Sequence, residues 1–192
     1  TGLIDHDDEL PPHALHCIAE KLLAHPEAEI VYTDEDKIDE NGARFDPHFK
    51  PDWNADLLTS QNYLSHLTVY RTATLRAVGG FRPGFEGAQD WDLALRIAER
   101  TSPDRIHHIP RVLYHWRAID GSTAMQLGDK DYASKAARRA LQEHFDRRKE
   151  TVTLEQTVGG HWHVRRTRPD PAPLVTLIVP TRNRLDLLAT CV

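Results

Sequence analysis

The stretch Leu3-Ile4-Asp5-His6-Asp7-Asp8-Glu9-Leu10 decides how the rest of the sequence is interpreted. Two apolar residues run directly into the carboxylates of Asp5, Asp7 and Asp8. This pattern is typical of the end of a buried strand in an α/β sheet, where ligands bind outside the carboxyl ends of the strands. Crowded carboxylates repel one another, so we expect a cation among them, and Mg²⁺ or Mn²⁺ suits an all-oxygen site. Taken alone, the stretch favours a solvated acidic turn that caps the next helix, and only the later motifs reverse that preference.

The composition of the 192-residue chain is that of a soluble globular protein, with 40% hydrophobic and 28% charged residues. Its net charge of −5 gives no electrostatic reason to expect a nucleic-acid partner. Cys17 and Cys191 are far apart and fit no metal or redox motif, which suggests a reducing compartment. The sequence shows neither a bilayer-spanning apolar run nor a signal-peptide pattern. We therefore expect a cytoplasmic protein, with peripheral association of its parent at the cytoplasmic face of the inner membrane.

The next segment shows a second acidic cluster after a short apolar strand predicted over Glu29 to Thr33. Asp34, Glu35 and Asp36 follow that strand and can face the same cleft as the first cluster, although a polar surface loop is the alternative. The Asn41-Gly42 pair lies between apolar residues and is a strong β-hairpin signal.

Further along, a glycine-rich loop leads into a helix predicted over Ala88 to Arg100. Asp90 lies in its first turn, where the helix dipole stabilises a carboxylate. Other elements are predicted from apolar patterns and breaker residues. They are strands over 105–109 and 112–116 broken by Pro110, a long helix over about 129–148, a hairpin of 151–157 and 161–166, and a buried parallel strand over 174–179.

Four segments, in this order, resemble the family 2 inverting glycosyltransferases, which have a GT-A fold, and most closely the bacterial enzymes of O-antigen-like surface polysaccharides. They are Leu3 to Leu10, Tyr32 to Lys37, Gly79 to Arg96 with Gln89-Asp90-Trp91-Asp92, and Val112 to Arg117 with Tyr114-His115-Trp116-Arg117. The ordered set is far more specific than any one segment. The resemblance covers about residues 1 to 125.

The resemblance implies an α/β chain with an incomplete GT-A fold, in which a mixed sheet flanked by helices precedes a β-hairpin connector. The family's first strands are absent before Thr1, whereas 174–184 resembles that missing opening. We therefore expect the back of one transferase domain and the front edge of a second. The expected divisions are 1–125 for the first domain, 126–150 for its closing helix, 151–173 for the hairpin and Pro-rich linker, and 174–192 for the second domain's start.

By resemblance, the first acidic stretch holds the metal and the nucleotide. Asp8 is the expected direct ligand of Mg²⁺ or Mn²⁺, Asp7 the expected contact to metal or ribose, and Asp5 their support. His115 is expected to complete the metal site, and Arg117 to pair with a diphosphate oxygen. The alternatives for these last two are a histidine at the edge of the core and a surface arginine.

The resemblance also identifies Asp90 as the base that takes the proton of the acceptor hydroxyl, a task that a carboxylate within hydrogen-bond reach performs. Gln89 stands where the family usually has Glu, which is a mild departure. The expected partners are a nucleotide-sugar donor and a saccharide or lipid-linked acceptor. We expect the isolated chain to be inactive, because the donor pocket's first strands are absent, and the apolar run 174–179 to pair with the sheet edge thus left open.

Two other functions remain open from the sequence. A metal-dependent phosphoesterase would also use carboxylates and histidines, but it needs several ligands converging from strand ends. A non-catalytic connector between two transferase domains would need no acidic clusters, and the carboxylates at Asp7, Asp8 and Asp90 argue against it for the parent protein.

Overall fold

The centre of the sheet is one strand whose apolar side chains alternate between two faces. Ile30 and Tyr32 pack into one hydrophobic cluster, and Val31 between them packs into another on the opposite face. All three are almost completely buried. A strand buried on both faces in this way needs helices above and below it, which defines the layers of the fold.

The computed structural model describes residues 1–118 and 131–191. Within these ranges the elements are α1 (Ala14–Ala24), β1 (Ile30–Ile38), β2 (Arg44–His48), α2 (Ala55–Ser60), β3 (Thr68–Tyr70), α3 (Thr72–Ala77), α4 (Gln89–Ala98), a short 3₁₀ helix (Pro103–Arg105), β4 (Ile106–Arg117), α5 (Asp131–Arg148), β5 (Val152–Gln156), β6 (Trp162–Arg166) and α6 (Leu185–Cys191). No helix in these ranges is long and apolar enough to cross a membrane.

The main sheet is mixed and is organised around β1. β4 runs parallel to β1 along its whole length, so the two strands have their carboxyl ends at the same edge of the sheet. The other side of β1 is shared by two antiparallel strands: β3 pairs with its first half and β2 with its second half. β5 and β6 form a separate two-stranded antiparallel sheet.

The two faces of the main sheet are covered by different helices. α1 packs on one face through Ala14, Cys17 and Ile18. On the other face, α4 and α5 build the larger hydrophobic cluster, and Leu154 and Trp162 of the β5–β6 hairpin belong to the same cluster. This confirms the predicted fold class: a mixed sheet flanked by helices, followed by a hairpin.

Local sequence signals predicted several elements well, whereas strand lengths differ from the prediction. The hairpin turn forms at Asn41-Gly42, between β1 and β2. However, β1 extends through the second acidic cluster instead of ending before it, because those carboxylates find buried partners. β4 is one strand instead of two: its pairing register with β1 shifts between Ile109 and Val112, and this bulge accommodates Pro110.

The predicted strands at the two ends of the sequence do not form. Gly2 pairs with Val69 by an isolated bridge, and Ile4 is exposed. The apolar run 174–179 is not a strand, and Leu174 is 95% exposed. A buried strand needs neighbours on both edges, and this run pairs with no strand in the described part of the chain. The predicted division between residues 125 and 126 lies outside the described residues.

A buried ionic cluster fixes the glycine-rich loop against α4. The carboxylate of Asp92 is completely buried and accepts hydrogen bonds from Arg82 and from Arg96, whose Nε lies 2.9 Å away. Arg96 also donates to the carbonyl oxygens of Val78 and Gly80, both at 2.6 Å. The loop that enters α4 is therefore held at two points by one side chain.

We expect the change Asp92→Asn to lower the free energy of unfolding by about 3–5 kcal/mol, because it leaves the charge of Arg96 buried without its counter-ion. Urea denaturation followed by circular dichroism measures the difference. Asp170→Asn, a change at an exposed residue of the linker, is the control and should alter stability by less than about 0.5 kcal/mol. Equal stability of the Asp92 variant and wild type would contradict this role.

Candidate active site

The first acidic stretch runs from the β3 edge of the main sheet to the carboxyl end of β4, and backbone pairing holds it at both ends. At one end Gly2 bridges to Val69, and at the other Glu9 exchanges two hydrogen bonds with His115, at 3.1 and 2.9 Å. In between, the backbone N–H of Asp5 donates to the hydroxyl of Tyr114 at 3.2 Å. The stretch thus lies where ligands bind in open α/β sheets.

Asp8 is fixed by two donors from β4. The hydroxyl of Tyr114 donates to one carboxylate oxygen, and the backbone N–H of Arg117 donates to the other at 2.8 Å. Burial raises the pKa of Asp8, while these two hydrogen bonds oppose the rise. Its orientation is therefore set by the strand before any ligand arrives.

Asp5, Asp8 and His66 form a group whose potential ligand atoms all lie within 4.8 Å of one another. Nε2 of His66 lies 4.0 Å from a carboxylate oxygen of Asp5. Two carboxylates and one imidazole are a donor set that Mn²⁺ accepts readily and Mg²⁺ less so. The residues present therefore fit the divalent cation that the acidic stretch predicted.

The buried carboxylate of Glu35 holds His66 on the side away from Asp5. Its backbone N–H donates to Glu35 at 2.9 Å, and its Nδ1 lies 3.5 Å from the same carboxylate, which leaves Nε2 on the Asp5 side. The ring stacks on Tyr114 with centroids 4.6 Å apart. Burial alone lowers the pKa of His66, but Glu35 outweighs it and the net shift is upward. A carboxylate behind a histidine fixes the orientation of the ring in metal sites.

Asp90 lines a cleft of about 320 Å³ together with Asp5 and His66 of this group. The amide of Asn62 donates to its Oδ2 at 2.7 Å. Burial raises the pKa of Asp90, opposed by the backbone N–H of Trp91 and the charge of His66. A raised carboxylate pKa suits a general base. The cleft is lined by Gly2, Leu3, Ile4, Asp5, Ser65, His66, Phe81, Gln89 and Asp90.

Two predicted nucleotide contacts lie beside this cleft. The carboxylate of Asp7 is partly exposed and lies 3.7 Å from Nδ1 of His6. Arg117 donates through Nε to the backbone carbonyl of Asp7 at 2.7 Å and pairs with the carboxylate of Glu9. Arg117 thus contacts the acidic stretch, and its predicted contact to a diphosphate oxygen stays a prediction.

His115, the predicted third metal ligand, is directed to a different carboxylate. Its Nδ1 hydrogen-bonds to Asp36 of β1, which also accepts from Arg44 at 2.6 Å. Neither His115 nor Asp7 belongs to the group formed by Asp5, Asp8 and His66.

Sequence reasoning missed His66 and Asn62, which belong to the segment Gln61-Asn62-Tyr63-Leu64-Ser65-His66. This segment has neither apolar periodicity nor a strand-end carboxylate cluster. The signal available was a pair of polar side chains just before β3. Because β3 runs antiparallel to β1, the start of β3 lies at the site's edge of the sheet.

Comparison with known proteins finds relatives that match the whole of this chain over a small part of their own length. It is 44% identical over 192 residues to the O-antigen biosynthesis protein RfbC of Myxococcus xanthus, covering 100% of this chain and 15% of that protein. It is 50% identical over 197 residues to the protein y4gI of Sinorhizobium fredii, again over 100% of this chain and 21% of the relative.

A more distant relative is the chondroitin synthase of Pasteurella multocida, which is 23% identical over 121 residues. That match covers 62% of this chain and 12% of the synthase. No family model matches the sequence. The chain spans at most 21% of the length of these curated relatives.

We expect Asp8→Asn and His66→Ala each to weaken Mn²⁺ binding by about 10-fold or more, because each removes one member of the convergent group. Isothermal titration with Mn²⁺ in the presence of a nucleoside diphosphate measures the affinity. The control is Glu40→Gln, a change to an exposed carboxylate that also removes one negative charge. Unchanged affinity in His66→Ala, with a large loss in Asp7→Ala, would contradict the group described here and favour the ligands predicted from sequence.

The pH dependence of stability tests the charge behind His66. Burial raises the pKa of Glu35, but hydrogen bonds from His48 and His66 and the charge of Lys50 hold it well below its ordinary value of 4.5. A depressed carboxylate stabilises the fold above its unfolded pKa and loses that contribution as the pH falls through the folded pKa. Wild type should therefore be more stable than Glu35→Gln at pH 7.

The stability difference between wild type and Glu35→Gln should shrink as the pH falls below about 4.5. Urea unfolding across this range measures it. A difference that stayed constant from neutral to acidic pH would show that Glu35 is not charged in the fold.

Proposed function

We propose that this chain forms the metal-binding and acceptor-side part of an inverting glycosyltransferase that acts in bacterial surface polysaccharide biosynthesis. One observation carries the proposal: Asp5 and His66, which belong to the potential metal group, line the same cleft as Asp90. The O-antigen biosynthesis relative supports it from sequence. The donor would be a nucleotide sugar and the acceptor a saccharide or a lipid-linked saccharide.

On the donor side, Asp5, Asp8 and His66 would hold the divalent cation. When bound, the cation supplies positive charge that stabilises the nucleoside diphosphate leaving group. Arg117 lies beside this group, on β4, and its guanidinium is suited to a diphosphate oxygen. Its bond to the exposed carboxylate of Glu9 positions the side chain next to the acidic stretch.

On the acceptor side, Asp90 takes the proton of the attacking hydroxyl. Inversion at the anomeric carbon needs one such base within reach of the acceptor hydroxyl, and Asp90 lines the same cleft as Asp5 and His66. The amide of Asn62 donates to Oδ2 of Asp90, and the backbone N–H of Trp91 also stabilises the charged carboxylate, so its orientation is fixed before the acceptor binds. Burial keeps its pKa raised, so the carboxylate is a stronger base than one in water.

We expect Asp90→Asn in the full-length parent protein to lower kcat by about 10²–10⁴-fold, because the group acts on a proton that moves in the transition state. Donor affinity should remain within about twofold, since Asp90 belongs to the acceptor side. Transfer of labelled sugar from a panel of nucleotide sugars to a lipid extract measures turnover, and equilibrium binding of the donor is measured separately. Asp170→Asn is the control.

Other results of this experiment would identify other roles. Loss of donor affinity with unchanged turnover would make Asp90 a binding residue. Release of phosphate from nucleotide sugars or phosphate esters without any acceptor would favour a metal-dependent phosphoesterase. Absence of transfer by the parent protein with every donor tested would favour a connector.

A further inference from the structure

A second group of potential metal ligands lies at the opposite end of the sheet from the candidate active site. His25 ends α1, Glu27 follows it in the connection to β1, and His107 is the second residue of β4. His107 pairs with Val31, near the start of β1, whereas the active-site residues cluster at the carboxyl ends of these strands. The function proposed above uses none of these three residues.

The three side chains converge on one point. Oε1 of Glu27 lies 3.5 Å from Nδ1 of His25 and 3.8 Å from Nε2 of His107, and the three potential ligand atoms lie within 4.8 Å of one another. Ligands about 2.1 Å from a tetrahedral Zn²⁺ are about 3.4 Å apart. Two of the three separations are therefore already close to the spacing that a bound ion imposes.

His107 is incompletely satisfied without a ligand. Its Nε2 is buried and makes no hydrogen bond among the described atoms. Its ring stacks on His25 with centroids 4.0 Å apart and an interplanar angle of 24°. Burial lowers the pKa of His107, and the charges of His25 and Lys21 lower it further. The charges of Glu27 and Asp104 oppose this shift without reversing it. A buried nitrogen with no partner is costly, and each such group requires an explanation.

A simpler explanation is that His25 merely ends α1, since its backbone N–H donates to the carbonyl of Lys21. That explains the position of His25, but neither the convergence of Glu27 on both histidines nor the buried nitrogen of His107. A nearby pair offers a contrast: His16 and Glu20 on α1 also lie 3.5 Å apart, yet both are exposed and no second histidine joins them in the described structure.

We propose that His25, Glu27 and His107 form a transition-metal site, with Zn²⁺ as the ion of best fit. Two imidazoles and one carboxylate are typical zinc donors, whereas Mg²⁺ prefers oxygen ligands throughout. A bound ion joins the end of α1 to β4, two elements that already pack together through the cluster containing Cys17 and Ile109. The exposed side of Glu27 leaves room for water as the fourth ligand. The role is structural, and binding requires the stacked rings to tilt apart.

Zinc titration of the full 192-residue chain tests this site. Every protein in the experiment carries the change His66→Ala, the background variant, so that the group of Asp5, Asp8 and His66 does not contribute. In that background we expect one Zn²⁺ site and a rise in Tm on adding Zn²⁺. His107→Ala should weaken this binding by about 100-fold and abolish the rise in Tm. Glu27→Gln, a milder change at a more exposed residue, should weaken binding by about 10-fold. His16→Ala is the matched control and should leave both readouts unchanged.

Co²⁺ provides an independent readout, because imidazole coordination in a four-coordinate site gives visible absorption bands. We expect these bands in the background variant and in His16→Ala, their loss in His25→Ala, and about 10-fold more Co²⁺ needed to reach them in Glu27→Gln. Equal Zn²⁺ affinity in the background, His107→Ala and Glu27→Gln proteins would overturn the proposal. So would bands that disappear in His16→Ala but persist in His25→Ala. The failure of this site would leave the proposed transferase function unaffected, since no residue is shared.

Discussion

The fold depends on how β1 carries three consecutive carboxylates, Asp34, Glu35 and Asp36, into the interior of the protein. All three are buried, and an unpaired charge in such a place costs several kcal/mol. Each carboxylate therefore requires its own cationic or hydrogen-bonding partner, and the partners come from different elements. They are His108 at 2.8 Å from Asp34, Lys50 at 3.3 Å from Glu35, and Arg44 at 2.6 Å from Asp36, which also contacts His115. Correct pairing is possible only when β2, β4 and the 49–52 loop all stand in register with β1, so buried charge specifies the sheet as strongly as the apolar pattern does.

The same buried charges determine the geometry of the candidate site. The side chain of Lys50 is fully buried, and its ammonium donates to Glu35, to the carbonyl of Leu64 at 2.9 Å and to the carbonyl of His66. Burial lowers the pKa of Lys50, and the nearby carboxylate opposes that shift. Three acceptors around one ammonium fix the segment before β3, which carries both Asn62 and His66. The position of a potential metal ligand thus follows from one ion pair that contacts His66 but is not itself among the residues lining the cleft.

Local signals in the sequence were enough to predict the elements that neighbouring residues determine. The Asn41-Gly42 turn formed where predicted, and α4 begins one residue from its predicted start, with Asp90 in its first turn. Features that depend on distant partners were missed. β1 continues through its carboxylates because His108, Lys50 and Arg44 hydrogen-bond to them, and no pattern in the strand itself contains that information. The same distinction holds for the site. The strand-end carboxylates could be predicted from the local sequence, whereas His66 can be recognised only in the structure, where β3 places it beside Asp5.

Helical geometry separates two roles inside the segment Gln89-Asp90-Trp91-Asp92. Residues two apart on a helix are separated by about 200° around its axis, so their side chains point to nearly opposite sides. Asp90 and Asp92 therefore cannot lie on the same surface. Asp90 faces the cleft, whereas Asp92 is directed into the interior, where it holds Arg82 and Arg96. Through Arg96, Asp92 also fixes the loop that supplies Phe81 to the cleft wall. The two aspartates look like one acidic motif in the sequence, but they have different roles. Asp90 is the proposed base, whereas Asp92 holds, through Arg96, the loop that forms part of the cleft around it. We expect both aspartates to be needed for the same site, but for different physical reasons, which a comparison of unfolding and turnover can separate.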